Sequence, residues 1–124
     1  MLVNPELTRD IIGAAIEVHK TLGGGFLESV YEESMAIEFG LRKIPHERQK
    51  SIDVFYKGKF AKHFVCDFLV YGKVIVEVKA IQIISDVELA QVLNYLKASK
   101  TNVGLVVNFG GRSLKVKRVI NTIE

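Results

Sequence analysis

The chain has 124 residues, and its 17 Lys and Arg against 14 Asp and Glu leave a formal net charge of +3. That length is typical of one domain, so we expect residues 1–124 to form a single domain. With 48% hydrophobic and 25% charged residues, the chain resembles globular proteins rather than disordered ones. The mild positive charge permits a nucleic-acid partner without requiring one. The basic runs at 42–50 and 112–118 are either solvated faces or a track for a phosphate backbone.

Three features of the sequence bear on cellular location. Its apolar stretches, such as that around residues 74–78, are far shorter than the roughly 20 residues of a membrane span. The N-terminal stretch MLVNPELTRD brings Pro, Glu and Asp before any apolar run, unlike a signal peptide. The single cysteine, Cys66, excludes an intramolecular disulfide and a multi-cysteine zinc site. We therefore expect a protein of the reducing cytoplasm with no membrane segment.

The N-terminal third of the sequence predicts two helices. Apolar residues at helical spacing indicate a helix over 6–22, with Asn4 as its N-cap. Three consecutive glycines at 23–25 end this helix. A second helix is predicted from about 27 to 39, with Gly40 as its C-terminal stop. Its expected inward positions are Val30, Tyr31, Met35 and either Ile37 or Glu38-Phe39.

The pattern changes from helical to alternating after Pro45. Three strands are predicted, over 51–56, 60–71 and 73–79. Short joins at Lys57-Gly58 and around Gly72 make these strands an antiparallel meander.

The remaining third predicts a helix, a buried strand and one further segment. Ser85 and Glu88 form a capping-box pattern, so a helix begins there and ends near Ser99. Its apolar face consists of Leu89, Val92, Leu93 and Leu96. Residues 101–108 predict a buried strand, and 113–120 a strand or a short helix. The order α-α-β-β-β-α-β with a tail indicates an α/β (α+β) fold, a mixed central sheet flanked by helices.

Two carboxylates interrupt otherwise apolar strands. Asp67 is the single acidic residue of its strand, and Glu77 shares a strand face with Lys79, about 7 Å away. If the turn is centred on Gly72, position 67 faces position 77 and the two carboxylates become cross-strand neighbours. A two-residue turn would instead place Asp67 opposite Val78, unless a bulge restored the pairing.

The carboxylates of Asp67 and Glu77 would repel each other unless a cation lies between them or one of them is protonated. Lys79 could supply that charge and make the arrangement purely structural. Alternatively, the two carboxylates bind Mg²⁺ (or Mn²⁺), which proteins typically hold with one or two carboxylates plus waters and phosphate oxygens. Lys79 would then orient or deprotonate a water, or stabilise charge on the phosphorane. Phosphodiester hydrolysis requires these parts and nothing more covalent from the protein.

Asp67, followed ten residues later by Glu77-Val78-Lys79, resembles the D…ExK signature of the PD-(D/E)XK nuclease superfamily. The core order of that superfamily, α-β-β-β-α-β, is similar to the predicted one. The stretch 25–31 (GFLESVY) matches the GxxExxY motif that names a small bacterial and archaeal family. Further stretches similar to that family are 76–80 (VEVKA), 91–97 (QVLNYLK) and 104–110 (GLVVNFG). The resemblance covers about residues 6–120 and implies a restriction-endonuclease-like core.

The resemblance also implies further site residues. In the superfamily a glutamate of the first core helix often joins the metal site. By position this is Glu28, with Glu32 as the alternative, although a first-turn glutamate also stabilises its own helix. Gln91 and Tyr95 resemble the QxxxY motif of RecB-like nucleases and are expected on a helix face separate from the apolar stripe. Gln91 would hold Lys79 or a phosphate oxygen, and Tyr95 would position substrate.

The sequence leaves three functions open. The first is a metal-dependent nuclease in which Glu28, Asp67 and Glu77 bind Mg²⁺ or Mn²⁺ and Lys79 assists the attacking water. Its substrate is DNA, with RNA as the alternative, and a homodimer would supply two active sites for two strands. The second is a catalytically silent nucleic-acid-binding or protein-interaction module that retains the fold. The third is a nuclease-like toxin or defence component whose activity depends on a protein partner.

Overall fold

The computed structural model describes residues 4–122, which contain three helices and five strands. In chain order these are α1 (Pro5–Leu22), α2 (Glu28–Leu41), β1 (His46–Tyr56), β2 (Lys59–Val70), β3 (Val74–Lys79), α3 (Asp86–Ser99), β4 (Val103–Asn108) and β5 (Lys115–Ile120). The predicted element order is confirmed, and the final segment, left open as strand or helix, is a strand. Among these helices none is long and apolar enough to cross a membrane.

The strands form one mixed sheet in the order β1-β2-β3-β4-β5. β3 and β4 are parallel, and the other neighbours are antiparallel. A parallel pair needs a long crossover, which α3 provides. This mixed sheet with flanking helices is the predicted α/β (α+β) architecture, consistent with a restriction-endonuclease-like fold.

Two apolar cores cover the two faces of the sheet. On one face, α1 and α2 pack against the even-numbered residues of β3, and Met35 and Val76 belong to the same buried cluster. On the other face, α3 packs against Ile75 through Val92. All of 74–78 is buried, because helices cover both sides of this central strand. The side chain of Glu77 projects from the same face of the sheet as that of Ile75, which is the face covered by α3.

Helix α2 differs from its predicted bounds. It continues through Gly40 to Leu41, since one glycine costs a helix only about 1 kcal/mol. The chain turns instead at Lys43, which has a left-handed φ of 57°. Of the alternatives for the inward position, Phe39 is fully buried, whereas Ile37 is 57% exposed.

Other element boundaries show where local signals were sufficient. The capping box of Ser85 and Glu88 is formed, so the predicted start of α3 is confirmed. Asn4 precedes α1, but its side chain forms no capping hydrogen bond. β1 begins at His46 rather than at the predicted Ser51, since residues 46–50 pair with β2. The prediction missed these residues because they are polar and lack the alternation of apolar side chains.

Candidate active site

Strands β2 and β3 separate at Asp67 and Glu77. The two strands pair over three positions, from residues 68 and 76 to residues 70 and 74. This is the register predicted for a turn centred on Gly72, and one step further it brings Asp67 to Glu77, where the ladder pairing has ended. In the described part of the chain, β2 continues from there paired with β1 alone. We call this point of separation the fork.

At the fork, the two carboxylates bind the backbone of the opposite strand. The Asp67 N–H donates to Glu77 Oε1 at 2.7 Å, and the Val78 N–H donates to Asp67 Oδ2 at 2.8 Å. Side chains therefore take the place of ladder hydrogen bonds where the strands separate. This crossed arrangement fixes both acids at the point where the sheet opens.

Both carboxyl groups lie in surroundings that disfavour their charge. Glu77 is 4% exposed, and burial together with the Asp67 charge raises its pKa to about 8, although Lys79 opposes this. Burial and the charges of Glu32 and Glu28 raise the pKa of Asp67 to about 6. The fork thus concentrates acidic groups with too little positive charge around them.

Helix α2 contributes two glutamates near the fork. Glu28 is its first residue and is exposed, and Glu32 follows one turn later. Glu32 accepts hydrogen bonds from Arg48 Nε at 2.9 Å and from Gln49 Nε2 at 3.0 Å. The same Gln49 Nε2 lies 3.5 Å from Asp67 Oδ1. Of the two predicted alternatives, Glu32 is therefore linked to Asp67 through Gln49, whereas Glu28 acts on it through charge.

Tyr31 fixes the loop that precedes α2. Its buried hydroxyl donates to the Gly23 carbonyl at 2.6 Å and accepts from the Phe26 N–H at 3.2 Å. Gly23 and Gly25 have φ values of 72° and 100°, a region that favours glycine. The glycine and tyrosine of the GFLESVY stretch therefore hold the loop that presents Glu28 at the start of the helix.

The chain after Lys79 is held by Asn108. This residue is 2% exposed, and its side chain accepts from the Ile81 N–H at 3.0 Å and donates to the Ile81 carbonyl at 2.9 Å. Gly110 approaches so closely that an added Cβ would lie 2.1 Å from the Ile81 carbonyl oxygen. The backbone next to Lys79 is therefore fixed, while its side chain joins none of the ion pairs formed within residues 4–122.

Helix α3 places Tyr95 in the core. Its ring is 5% exposed, packs edge-on against Phe64 at 5.5 Å and joins Val92 and Leu96 in one cluster. The prediction of a face separate from the apolar stripe was wrong for Tyr95, because i, i+3 and i+4 spacing from Val92 puts it on that stripe. Burial and the fork carboxylates raise the pKa of Tyr95 to about 12, and the half-buried Gln91 lies one helical turn away.

The fork supplies oxygen donors only. No group of three or more His, Cys, Asp or Glu side chains in the described part of the chain is placed to hold a metal ion. Of the predicted ligands, Asp67 and Glu77 each accept a hydrogen bond from the backbone of the opposite strand, and Glu28 lies near enough for its charge to act on both. Buried, like-charged oxygen donors are nevertheless the donor chemistry of Mg²⁺ and Mn²⁺. A divalent cation there would supply the positive charge that the raised pKa values of Asp67 and Glu77 show to be lacking.

The chain matches a known protein family over nearly its whole length. A sequence model of the PD-(D/E)XK nuclease superfamily matches residues 5–119. The chain belongs to this superfamily. Searches of curated proteins and of solved structures return no significant match. PD-(D/E)XK proteins are generally nucleases and typically use divalent metals such as Mg²⁺, so membership indicates a nuclease-like function with a nucleic-acid substrate.

Two residues that hold the surroundings of the PD-(D/E)XK signature, Gln49 beside Asp67 and Asn108 beside the chain after Lys79, are absent from the sequence predictions. Gln49 bridges Glu32 and Asp67, and its φ of 53° is uncommon for a residue other than glycine. No spacing pattern marks it. Asn108 ends a buried strand, where an amide must find partners, and that burial was the signal that could have identified it.

The basic run at 42–50 is largely used within the fold. Its ion pairs are Arg42–Glu38, Arg48–Glu32, Arg48–Glu33 and Lys50–Glu47. These contacts neutralise much of the positive charge that the sequence places there. The run therefore offers less to a phosphate backbone than its composition indicates.

Proposed function

We propose that the chain is a metal-dependent nuclease that hydrolyses phosphodiester bonds of DNA, with RNA as the alternative substrate. The observation that carries this proposal is the fork, where Asp67 and Glu77 meet beside Lys79. Two carboxylates in surroundings that disfavour their charge, and a lysine without an ion-pair partner among residues 4–122, are the groups that hydrolysis of a phosphodiester requires. Superfamily membership supports the same chemistry.

The proposed metal ligands are Asp67 and Glu77, joined by Glu28 or Glu32 from α2. The cofactor is Mg²⁺ or Mn²⁺, because these ions prefer oxygen donors and need only one or two carboxylates in addition to waters and phosphate oxygens. When bound, such an ion polarises the phosphate and lowers the pKa of a bound water. The link through Gln49 makes Glu32 the ligand that the contacts favour, whereas Glu28 is the one that the family resemblance favours.

The remaining roles belong to Lys79, Gln91 and Tyr95. Lys79 orients the attacking water and stabilises the charge that develops on the phosphate oxygens, and Asn108 holds the backbone that follows it. The half-buried Gln91 contacts the substrate or Lys79. Tyr95 acts from the core, as a buried residue one helical turn from Gln91 that supports the position of its side chain.

The finer classification and the setting are also proposals. Gly25, Glu28 and Tyr31 support assignment to the GxxExxY group, since each has a distinct structural place in the loop and the first turn of α2. We place the protein in the cytoplasm as one domain over 1–124, with its lone cysteine buried. A homodimer or an unidentified protein partner would provide two active sites or control of activity.

Cleavage of labelled single-stranded, duplex and branched DNA, and of RNA, with Mg²⁺ or Mn²⁺ tests the nuclease proposal. Wild type should cleave at least one of these substrates, and Lys79→Ala should lower kcat by about 100-fold or more, the usual contribution of a positioned proton-transfer group. Lys73→Ala, an exposed lysine just before β3, is the matched control and should cleave like wild type. Equal residual activity in wild type and Lys79→Ala would identify a contaminant and contradict the proposal.

A catalytically silent nucleic-acid-binding module is the second candidate. The observation that favours it is that Asp67 and Glu77 already accept backbone hydrogen bonds, and no three-ligand cluster occurs among residues 4–122. Such a module would bind the same oligonucleotides without cleaving any of them. Binding by wild type and by Lys79→Ala with equal affinity, and no metal-dependent product, would favour this candidate.

A further inference from the structure

The free end of the β1–β2 hairpin carries three exposed aromatic rings. Phe55, Tyr56 and Phe60 are 61%, 67% and 62% exposed. Phe55 and Phe60 are paired across the hairpin with ring centroids 6.1 Å apart. A cluster of exposed aromatic rings is unusual on a soluble surface and marks an interaction site. We call residues 55–62 the hairpin tip.

The hairpin tip is also basic. Lys57, Lys59 and Lys62 are all exposed, and Lys57 Nζ lies 5.3 Å from the centre of the Tyr56 ring. Residues 55–62 contain no acidic residue. The nearest acid along β1 is Asp53, which is paired with His63. The tip therefore presents aromatic rings and uncompensated positive charge together.

This combination fits one class of partner better than others. Protein–protein interfaces are enriched in aromatic residues but depleted in lysine. Single-stranded nucleic acid needs both, because unpaired bases stack on aromatic rings while lysines contact the phosphates between them. The bases of a duplex are stacked on one another and cannot offer their faces in this way.

The position of the tip relative to the fork sets a length for the partner. Phe60 and Asp67 lie seven residues apart on β2, which corresponds to at most about 23 Å along a strand. β1 pairs with β2 from Phe60 to Cys66, apart from one irregularity between Val54 and Phe55. At about 3.4 Å per nucleotide, a stacked strand of roughly seven nucleotides covers that distance.

We propose that the hairpin tip binds unpaired nucleotides of the strand that enters the fork, with Phe55, Tyr56 and Phe60 stacking on bases and the lysines contacting phosphates. This inference deepens the proposed nuclease function and rests on its nucleic-acid substrate. It assigns the hairpin the task of selecting single-stranded segments. The acids at the fork take no part in this contact, so it requires no metal.

Fluorescence anisotropy with a labelled 20-nucleotide single strand and the matching duplex, in EDTA, tests the inference. Wild type should bind the single strand more tightly than the duplex. Tyr56→Ala and Phe60→Ala should each weaken single-strand binding about fivefold or more, since stacking contributes at least about 1 kcal/mol per base. A double variant of other exposed apolar residues, Leu41→Ala with Ile83→Ala, is the matched control and should bind like wild type.

Salt dependence tests the lysines separately. Replacing Lys57, Lys59 and Lys62 by Gln should reduce the slope of log affinity against log salt by about 2, since each phosphate contact on a single strand contributes about 0.7. The exposed pair Lys73→Gln with Lys100→Gln lies outside the tip and should leave the slope unchanged. Unchanged affinity and slope in the tip variants would overturn the inference.

Two outcomes separate this inference from the nuclease proposal. If wild type cleaves nothing but the tip variants lose single-strand binding, the nuclease proposal fails and the tip keeps its function. If wild type cleaves DNA and the tip variants bind and cleave unchanged, the tip inference fails alone. Sedimentation would also overturn it by showing a dimer that Phe60→Ala dissociates without any change in oligonucleotide affinity.

Discussion

The burial of Glu77 predicts an unusual dependence of stability on pH. Its carboxyl group is 4% exposed, and burial together with the charge of Asp67 raises its pKa from 4.5 to about 8, although the hydrogen bond from the Asp67 N–H opposes this rise. Between these two pH values the folded state keeps a proton that the unfolded state has released. The corresponding stability is complete below about pH 4.5 and is lost as the pH rises toward 8.

The size of this effect follows from the same interval. One pKa unit corresponds to about 1.4 kcal/mol. The difference between the pKa of Glu77 in the unfolded and folded states therefore limits its pH-dependent contribution to the free energy of unfolding to about 5 kcal/mol. Glu77→Gln removes the titration and keeps an oxygen that can accept from the Asp67 N–H. The variant should match wild type near pH 4.5 and be more stable by about 3 to 5 kcal/mol at pH 8.5. For a chain of this size that difference corresponds to a Tm higher by more than about 10 °C.

Urea denaturation in EDTA at pH 4.5, 6.5 and 8.5 measures the difference. Glu88→Gln is the matched control with the opposite sign. The capping hydrogen bonds from Ser85 lower the pKa of Glu88, so its charged form stabilises the fold and its replacement should destabilise at neutral pH. If the wild-type and Glu77→Gln curves ran parallel from pH 4.5 to 8.5, Glu77 would be charged in the folded state and the electrostatic account of the fork would be refuted.

Further predictions concern the residues that hold the site in place. Tyr31→Phe removes the buried hydroxyl that donates to the Gly23 carbonyl and should lower the free energy of unfolding by about 1 to 3 kcal/mol, measured by urea denaturation. An unchanged midpoint would show that this hydrogen bond does not hold the loop. Gly110→Ala forces the backbone away from Ile81 and should destabilise by more than about 2 kcal/mol, with reduced cleavage. Gly40→Ala, a helical glycine with open space around it, should instead stabilise by up to about 1 kcal/mol, and equal effects of the two glycine variants would contradict the packing argument.

The sequence was sufficient to predict the arrangement of the strands at the fork. The short turn around Gly72 and the two-residue period of a strand set the register of residues 68–70 with 74–76, and the same register brings Asp67 to Glu77 one step further. The capping box of α3 was equally local and is present. Both features depend on residues that are close along the chain.

Contacts between distant residues could not be predicted in this way. Gln49 reaches Glu32 across 17 positions of sequence and adopts a left-handed backbone, and neither property has a local signal. The helical spacing of Tyr95 with Val92 and Leu96 places it on the apolar stripe, and this local signal was overlooked. Its contact with Phe64 of β2 joins residues far apart along the chain and has no local signal.

Calorimetric titration with Mn²⁺ tests most directly whether the fork holds a divalent cation. Wild type should show saturable binding that is tighter at pH 8 than at pH 6, because the carboxyl groups of Asp67 and Glu77 must release their protons. Asp67→Asn and Glu77→Gln should abolish the binding, while Asp86→Asn, an exposed aspartate at the start of α3, should leave it unchanged. Absence of binding by wild type, or equal binding by all four proteins, would contradict the proposed metal site.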